Sequence, residues 1–140
     1  MRRSRAISAE DGIDDAFTHW VRVATRAYER VWRPNVLVIG EPDRCDAVVS
    51  ALLLESPKPV YEWAGQTLVP AHADAACLVI RDVATLSREQ QNAFWLWLSA
   101  PAVHHLQFIS TSSIPIFPLV QRGAFMEDLY YRLNTLVLEA

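Results

Sequence analysis

The sequence predicts an α/β domain, a parallel sheet with helices on both faces. Short, wholly apolar runs at Val36–Ile39 and Cys77–Ile80 have the character of strands buried on both sides. They alternate with stretches of helical spacing, which is the pattern of strand–helix–strand crossovers. The chain of 140 residues is 51% hydrophobic and 21% charged. That suits a single domain, residues 1–140, burying roughly two-thirds of the surface its unfolded form exposes.

The elements follow in order. Residues 1–7 form a basic start with Arg2, Arg3 and Arg5, expected to be a solvated terminus. Residues 8–33 predict an N-terminal helix: Ser8 is a cap, and Glu10, Asp11, Asp14 and Asp15 suit its positive end. Ile13, Phe17, Trp20, Val21, Ala24 and Tyr28 give it one apolar face. The sheet core, 34–140, begins after Trp32-Arg33-Pro34 with the strand Val36–Ile39. Asp43 or Asp46 opens a helix through Val48, Val49, Leu52 and Leu53 that stops before Ser56-Pro57. Val60–Trp63 and Cys77–Ile80 are strands. Ser87 and Gln90 form a capping box for a helix through Phe94, Trp97 and Leu98 to Pro101. Leu106–Thr111 is a strand opened by His104-His105, Phe125–Leu133 a short helix, and Thr135–Leu138 the last strand.

Composition excludes several functions. A net charge of −3 offers nucleic acid no electrostatic pull, so no direct nucleic-acid partner is expected. The stretch Ala93–Val103 is far short of a membrane span, and acids follow the basic start where a signal peptide needs an apolar core. A cytoplasmic location is expected. Cys45 and Cys77 are too few and isolated for a disulfide framework or a zinc motif.

In such a sheet the ligand sits beyond the C-terminal strand ends, so the turn Gly40-Glu41-Pro42-Asp43-Arg44-Cys45-Asp46-Ala47 is the first place to look. A phosphate-binding loop needs glycines, so that backbone N–H groups wrap the phosphates, and a lysine to neutralise them. The spacing is present and the chemistry is not.

The segment Gly123-Ala124-Phe125-Met126-Glu127-Asp128-Leu129-Tyr130-Tyr131-Arg132-Leu133-Asn134 resembles the glycine-x-phenylalanine-arginine-glutamate-aspartate-leucine-tyrosine-tyrosine-arginine-leucine-asparagine string of sigma-54-dependent activators. The resemblance is to their AAA+ core, a P-loop NTPase fold, in degenerate and truncated form. In that register Val36–Ala47 resembles the Walker A strand and loop, Leu78–Leu86 the Walker B region, and Phe108–Ser113 the sensor I strand. The resemblance implies a three-layer domain whose five parallel strands are ordered 5-1-4-3-2.

It also locates the departures. Asp46 stands where the family has the Walker A lysine, and Asp43 and Cys45 replace glycines. Arg81 and Asp82 occupy the Walker B aspartate and glutamate positions, which hold magnesium and orient water. Ser113 replaces the sensor asparagine and Met126 one of two arginines; Arg132 keeps the other. Gly65–Ala76 is too short for the family's sigma-factor-contacting insertion, and no helical lid is expected after the last strand. The resemblance therefore implies a nucleotide site degenerate at Gly40, Glu41, Asp43, Cys45, Asp46, Arg81, Asp82, Ser113 and Arg132. No catalytic residue, no metal, and no ATP or magnesium cofactor is expected.

Simpler readings stand beside these. Asp46 is suited to capping a helix. His104, His105, Ser112 and Ser113 suggest a nucleophile pair, but no G-x-S-x-G elbow exists and adjacent strand residues point oppositely. The same histidines with His72 and Cys77 match no metal-ligand spacing. Trp95, Leu96 and Trp97 cannot all face one core from one helix, since successive side chains turn about 100°. Either the helix is sandwiched or it carries an interface. The leading expectation is a non-catalytic regulatory or interaction domain in bacterial transcription control, with a protein partner: a homodimer or another regulator. The alternatives are an atypical ATPase completed by a neighbour's arginine and, more weakly, a receiver-like sensor using Asp43, Asp46 and Asp82.

Overall fold

The computed structural model describes residues 34–70 and 74–140. The expected helix over 8–33, the basic start and His72 lie outside these residues. The described chain runs β1 (Val36–Ile39), α1 (Pro42–Leu53), β2 (Val60–Trp63), β3 (Cys77–Ile80), α2 (Arg88–Leu98), β4 (Gln107–Ser112), α3 (Phe117–Gln121), α4 (Glu127–Leu133) and β5 (Leu136–Glu139). Single 3-10 turns at Val83–Thr85 and Pro101–Val103 flank α2. Every strand pair is parallel, and the five-stranded sheet is ordered β2-β3-β4-β1-β5. This is the expected 5-1-4-3-2 order seen from its other edge.

Strand alternation divides the core in two. Leu37, Leu78, Ile80 and Phe108 point to one face, where Phe94 and Leu98 of α2 and Leu129 and Leu133 of α4 cover them. Phe94 is the centre of that layer, with its ring 5.1 Å from Trp63 and edge-on to Phe108 at 6.1 Å. Val36, Val38, Cys77, Val79 and Ile109 point to the other face, against Cys45, Val48, Val49 and Leu52 of α1. The middle strands are apolar on both sides because both sides are covered.

Helix ends follow local chemistry, with some corrections to expectation. The capping box of α2 is present: the Ser87 hydroxyl accepts from the Gln90 N–H at 3.1 Å, and the Gln90 side chain accepts from the Ser87 N–H at 2.9 Å. Neither Asp43 nor Asp46 opens α1. Proline at the first helical position, with extended Glu41 before it, starts the helix earlier, and no side chain caps it. Asp46 is thus not a cap. α2 ends at Leu98, short of Pro101, because Pro101 starts its own 3-10 turn. His104 ends that turn rather than opening β4, and the ladder begins at Gln107. The last strand likewise lies one residue later than expected, at Leu136–Glu139.

The helix expected from Phe125 begins at Glu127, because Phe125 and Met126 spend their N–H groups elsewhere. They donate to the Leu119 carbonyl at 3.2 Å and the Gln91 side chain at 2.8 Å. Before them lies α3, which the sequence did not announce. It ends at Gln121, and Gly123 two residues on has a φ of 76°, the left-handed value that follows many helices and suits glycine.

Candidate functional site

The C-terminal ends of β1, β3 and β4 open onto a cavity of about 210 Å³. Its lining is Gly40, Pro42, Cys45, Asp46, Arg81, Asp82, Thr111, Ser112 and Ser113. Gly40 ends β1 and donates its N–H to the Ser112 carbonyl at 3.0 Å. A side chain there would put Cβ 2.9 Å from the Ala140 carbonyl oxygen, so the close approach of the chain after β5 demands glycine.

Only Gly40 and Glu41 lie between β1 and α1. α1 starts at Pro42, which has no N–H, and the Cys45 N–H is already committed to the Glu41 carbonyl at 2.9 Å. Glu41 and Asp43 stand exposed at this helix start, beside the cavity rather than in it. Carboxylates suit the positive end of a helix, and they repel a second anion.

Arg81 follows β3, and its N–H donates to the Trp63 carbonyl at 3.1 Å, continuing the ladder. Alternation past Ile80 turns its side chain toward α1. There Nη1 lies 2.6 Å from Asp46 Oδ1, and Nε lies 3.0 Å from Glu62 Oε1. One guanidinium therefore ties α1, β2 and β3 together. Both carboxylates are mostly exposed, so each pair is worth about 1 kcal/mol or less.

Asp82 takes the left-handed conformation, φ 49° and ψ 58°, which aspartate tolerates better than most residues. Its N–H donates to Thr111 Oγ1 at 2.9 Å, while Oδ1 is buried and without a hydrogen-bond partner. Cys45 is 2% exposed, and its thiol lies 3.4 Å from the Gly40 carbonyl. Burial pushes its pKa up and the neighbouring Asp46 adds to this, which favours an unreactive thiol over a nucleophilic thiolate.

The structure brings together Gly40, Cys45, Asp46, Arg81, Asp82 and Ser113 from the sequence reading. Arg132 is elsewhere: its carbonyl accepts from Asn35 at 2.8 Å, and Asn35 precedes β1 at the opposite end of the sheet. Glu62 and Thr111 were missed, and Ser112 entered only as a candidate nucleophile. Parallel register reveals Glu62, because β2 pairs it with Val79, two residues before Arg81. Among the described residues no group of three or more His, Cys, Asp or Glu could hold a metal ion. His105 instead places its ring Nε2 2.9 Å from the Ala75 carbonyl, and Cys77 is buried in the core.

The Trp95–Trp97 run resolves into unlike members. Trp95 and Trp97 are half-buried against the core, with Trp97 stacked on Phe94 at 6.0 Å. Leu96 alone turns outward, 71% exposed. A groove of about 380 Å³, unforeseen in the sequence, is lined by Phe117, Val120, Phe125 and Met126 together with the polar Arg88, Gln121 and Glu127.

Strand order, helix placement and a cavity at the strand ends define an AAA+-type α/β domain. The family model for the Sigma-54 interaction domain matches residues 27–140, and the chain belongs to that family. Among solved structures it is similar to NtrX from Brucella abortus. The crystal structure in complex with ATP matches at a TM-score of 0.66 and 18% identity, over 91% of this chain and 37% of that one. A second NtrX crystal structure gives 0.65 and 18% identity, over 94% of this chain and 37% of that one. The complex with ADP gives 0.62 and 18% identity, over 91% and 36%. The chain therefore spans little more than a third of the NtrX chains it matches. No curated protein sequence matches it. Among the described residues no helix is long and apolar enough to cross a membrane.

Proposed function

We propose that this Sigma-54 interaction domain is a non-catalytic regulatory module, an ATPase fold kept as a protein-docking surface in bacterial transcription control. The observation that carries this reading is Arg81 bound to Asp46 across the strand ends. Nucleotide chemistry at this place needs a cation on the helix to meet phosphate and a carboxylate on β3 to meet magnesium. Here the signs are exchanged, and each charge satisfies the other. The start of α1 at Pro42 and the short Ala64–Ala76 connection support the same reading, since neither a phosphate loop nor a long output insertion has room. The partner on this reading is a protein, a second copy of the chain or another regulator, and the compartment is the cytoplasm.

Calorimetry tests it. Titrating ATP with magnesium into the chain to millimolar concentration gives no binding heat, and Asp46→Lys alone does not restore hydrolysis, because Arg81 and Ser113 remain. A micromolar dissociation constant for the unaltered chain would reject this reading in favour of an atypical ATPase.

A further inference from the structure

β2 is the outermost strand on its side of the sheet, separated from β1 by β3 and β4. Helix α1 starts just beyond the end of β1, so its first turns and β2 belong to different parts of the sheet. One side chain spans them. Arg81 Nη1 lies 2.6 Å from Asp46 Oδ1 in the second turn of α1, and Nε lies 3.0 Å from Glu62 Oε1 in β2. The same residue donates its backbone N–H to the Trp63 carbonyl at 3.1 Å, so it holds the end of β2 at two points. We propose that Arg81 is a coupler, through which the start of α1 and the end of β2 are ordered together and a change at either is felt at the other.

The coupling arises because both bonds use one rigid group. A guanidinium is planar, and the directions of its N–H groups are fixed relative to one another. Whichever carboxylate binds first orders the long side chain, and the second then binds with little further loss of freedom. Both carboxylates are mostly exposed, so each contact alone is weak. Through the shared group each contact strengthens the other. Coupling of this kind is reciprocal, so it runs from α1 to β2 and back. It also continues past β2. The Trp63 indole donates to Thr67 Oγ1 at 3.1 Å, in the turn that follows the strand, and the Gln90 side chain of α2 donates to the Gly65 carbonyl at 2.7 Å. The strand-end cavity, lined by both Asp46 and Arg81, is thereby linked to that turn.

Nuclear magnetic relaxation of N–H groups in the folded chain measures this, because order parameters report motion within the native state rather than unfolding. The Arg81 Nε–H is the first probe. Its bond is to Glu62, so an effect of Asp46 on it has to pass through the guanidinium. The backbone N–H groups of Glu62, Trp63 and Ala64 are the second probe. Arg44 and Arg122, both exposed, supply the reference for a mobile arginine.

In the unaltered chain the Arg81 Nε–H is expected to be more ordered than those of Arg44 and Arg122, with backbone order parameters at 62–64 near the rigid value of about 0.85. Asp46→Asn moves the Arg81 Nε–H part of the way to the reference arginines and lowers 62–64 by a smaller step. Arg81→Met lowers 62–64 at least as far, and adding Asp46→Asn to it changes nothing more there. Arg81→Lys keeps the charge but not the planar fork, and it uncouples 62–64 from Asp46 in the same way. Glu62→Gln, by reciprocity, loosens the backbone of α1 at 43–46. An Arg81 Nε–H as mobile as the reference arginines in the unaltered chain overturns the coupler. So does an Asp46→Asn effect at 62–64 that persists in Arg81→Met, since it would reach β2 by another route.

Discussion

Two regions of this domain match the family pattern to different degrees, and their burial offers a physical reason. At one place the segment Gly123–Asn134 resembles the family string over almost its whole length. Its Phe125, Leu129 and Leu133 are buried in the main core, and Asn134 is 4% exposed. At the other, the turn after β1 departs from its motif at nearly every chemical position. Glu41, Asp43 and Asp46 there are exposed. A buried apolar residue cannot change size without a cavity or a clash, whatever the domain does. An exposed residue in a ligand site is restrained only by the ligand. On our proposed reading, the difference teaches that fold and nucleotide chemistry are separable: packing holds the one, and only a bound ligand would hold the other.

The sharpest test of that contrast is to damage the packed region. Leu129→Ala, at a residue with no exposed surface, is expected to lose about 2–5 kcal/mol, enough to unfold a marginal domain. Urea denaturation followed by circular dichroism measures it. A loss under about 1 kcal/mol would mean that α4 is not part of the cooperative core and that the contrast with the β1 turn is misplaced.

A smaller effect is expected at Gln91, where α2 and the family segment are joined. Gln91 is 1% exposed, and its side chain donates to the Leu86 and Ala124 carbonyls and accepts from the Met126 N–H. Arg88 adds a bond to the Gly123 carbonyl from the same helix. Gln91→Leu fills similar space but strands three backbone groups. A cost of about 1–3 kcal/mol follows, with faster amide exchange confined first to 123–127. Uniform exchange along the chain would show instead that the segment does not open on its own.

Much of this was legible in the sequence, and the exceptions have physical causes. β1 and β3 were bounded as found, because continuous apolar runs of this length leave little choice. Ser87 and Gln90 announced α2 through a local hydrogen-bond pattern. α3 was missed because Pro115 and Pro118 in so short a stretch look like a loop; its hydrogen bonds are local, and the burial of Ile116 and Leu119 against the core holds it in place. The start of α1 was misplaced because aspartates were favoured as caps over the proline that sets the backbone. In the site, Arg81 and Asp46 were each identified as departures from a motif. That they touch, and that Glu62 completes the arrangement, depends on sheet register and helix orientation, which no local pattern encodes.

The smallest expected effect on stability belongs to Leu96, and its value lies in that smallness. The run Trp95–Trp97 divides into two half-buried rings and one outward leucine. Exposed single substitutions away from caps and core contacts usually change stability by about 0.5 kcal/mol or less. Leu96→Glu is therefore expected to leave the denaturation curve in place. If α2 meets a second copy of the chain there, covering Leu96 stabilises the dimer by about 1.5–3 kcal/mol per subunit, and a two-fold contact counts it twice. A glutamate in its place would lose that burial and set two like charges facing across the axis. Sedimentation should then show a nucleotide-independent dimer for the unaltered chain and a monomer for Leu96→Glu, at the same concentration and with the same melting curve. A monomer in both cases at high micromolar concentration rejects the homodimer and leaves a different protein as the partner. A hexamer that forms only with ATP would contradict more than the interface, because it would require the charge-exchanged site at the strand ends to bind nucleotide after all.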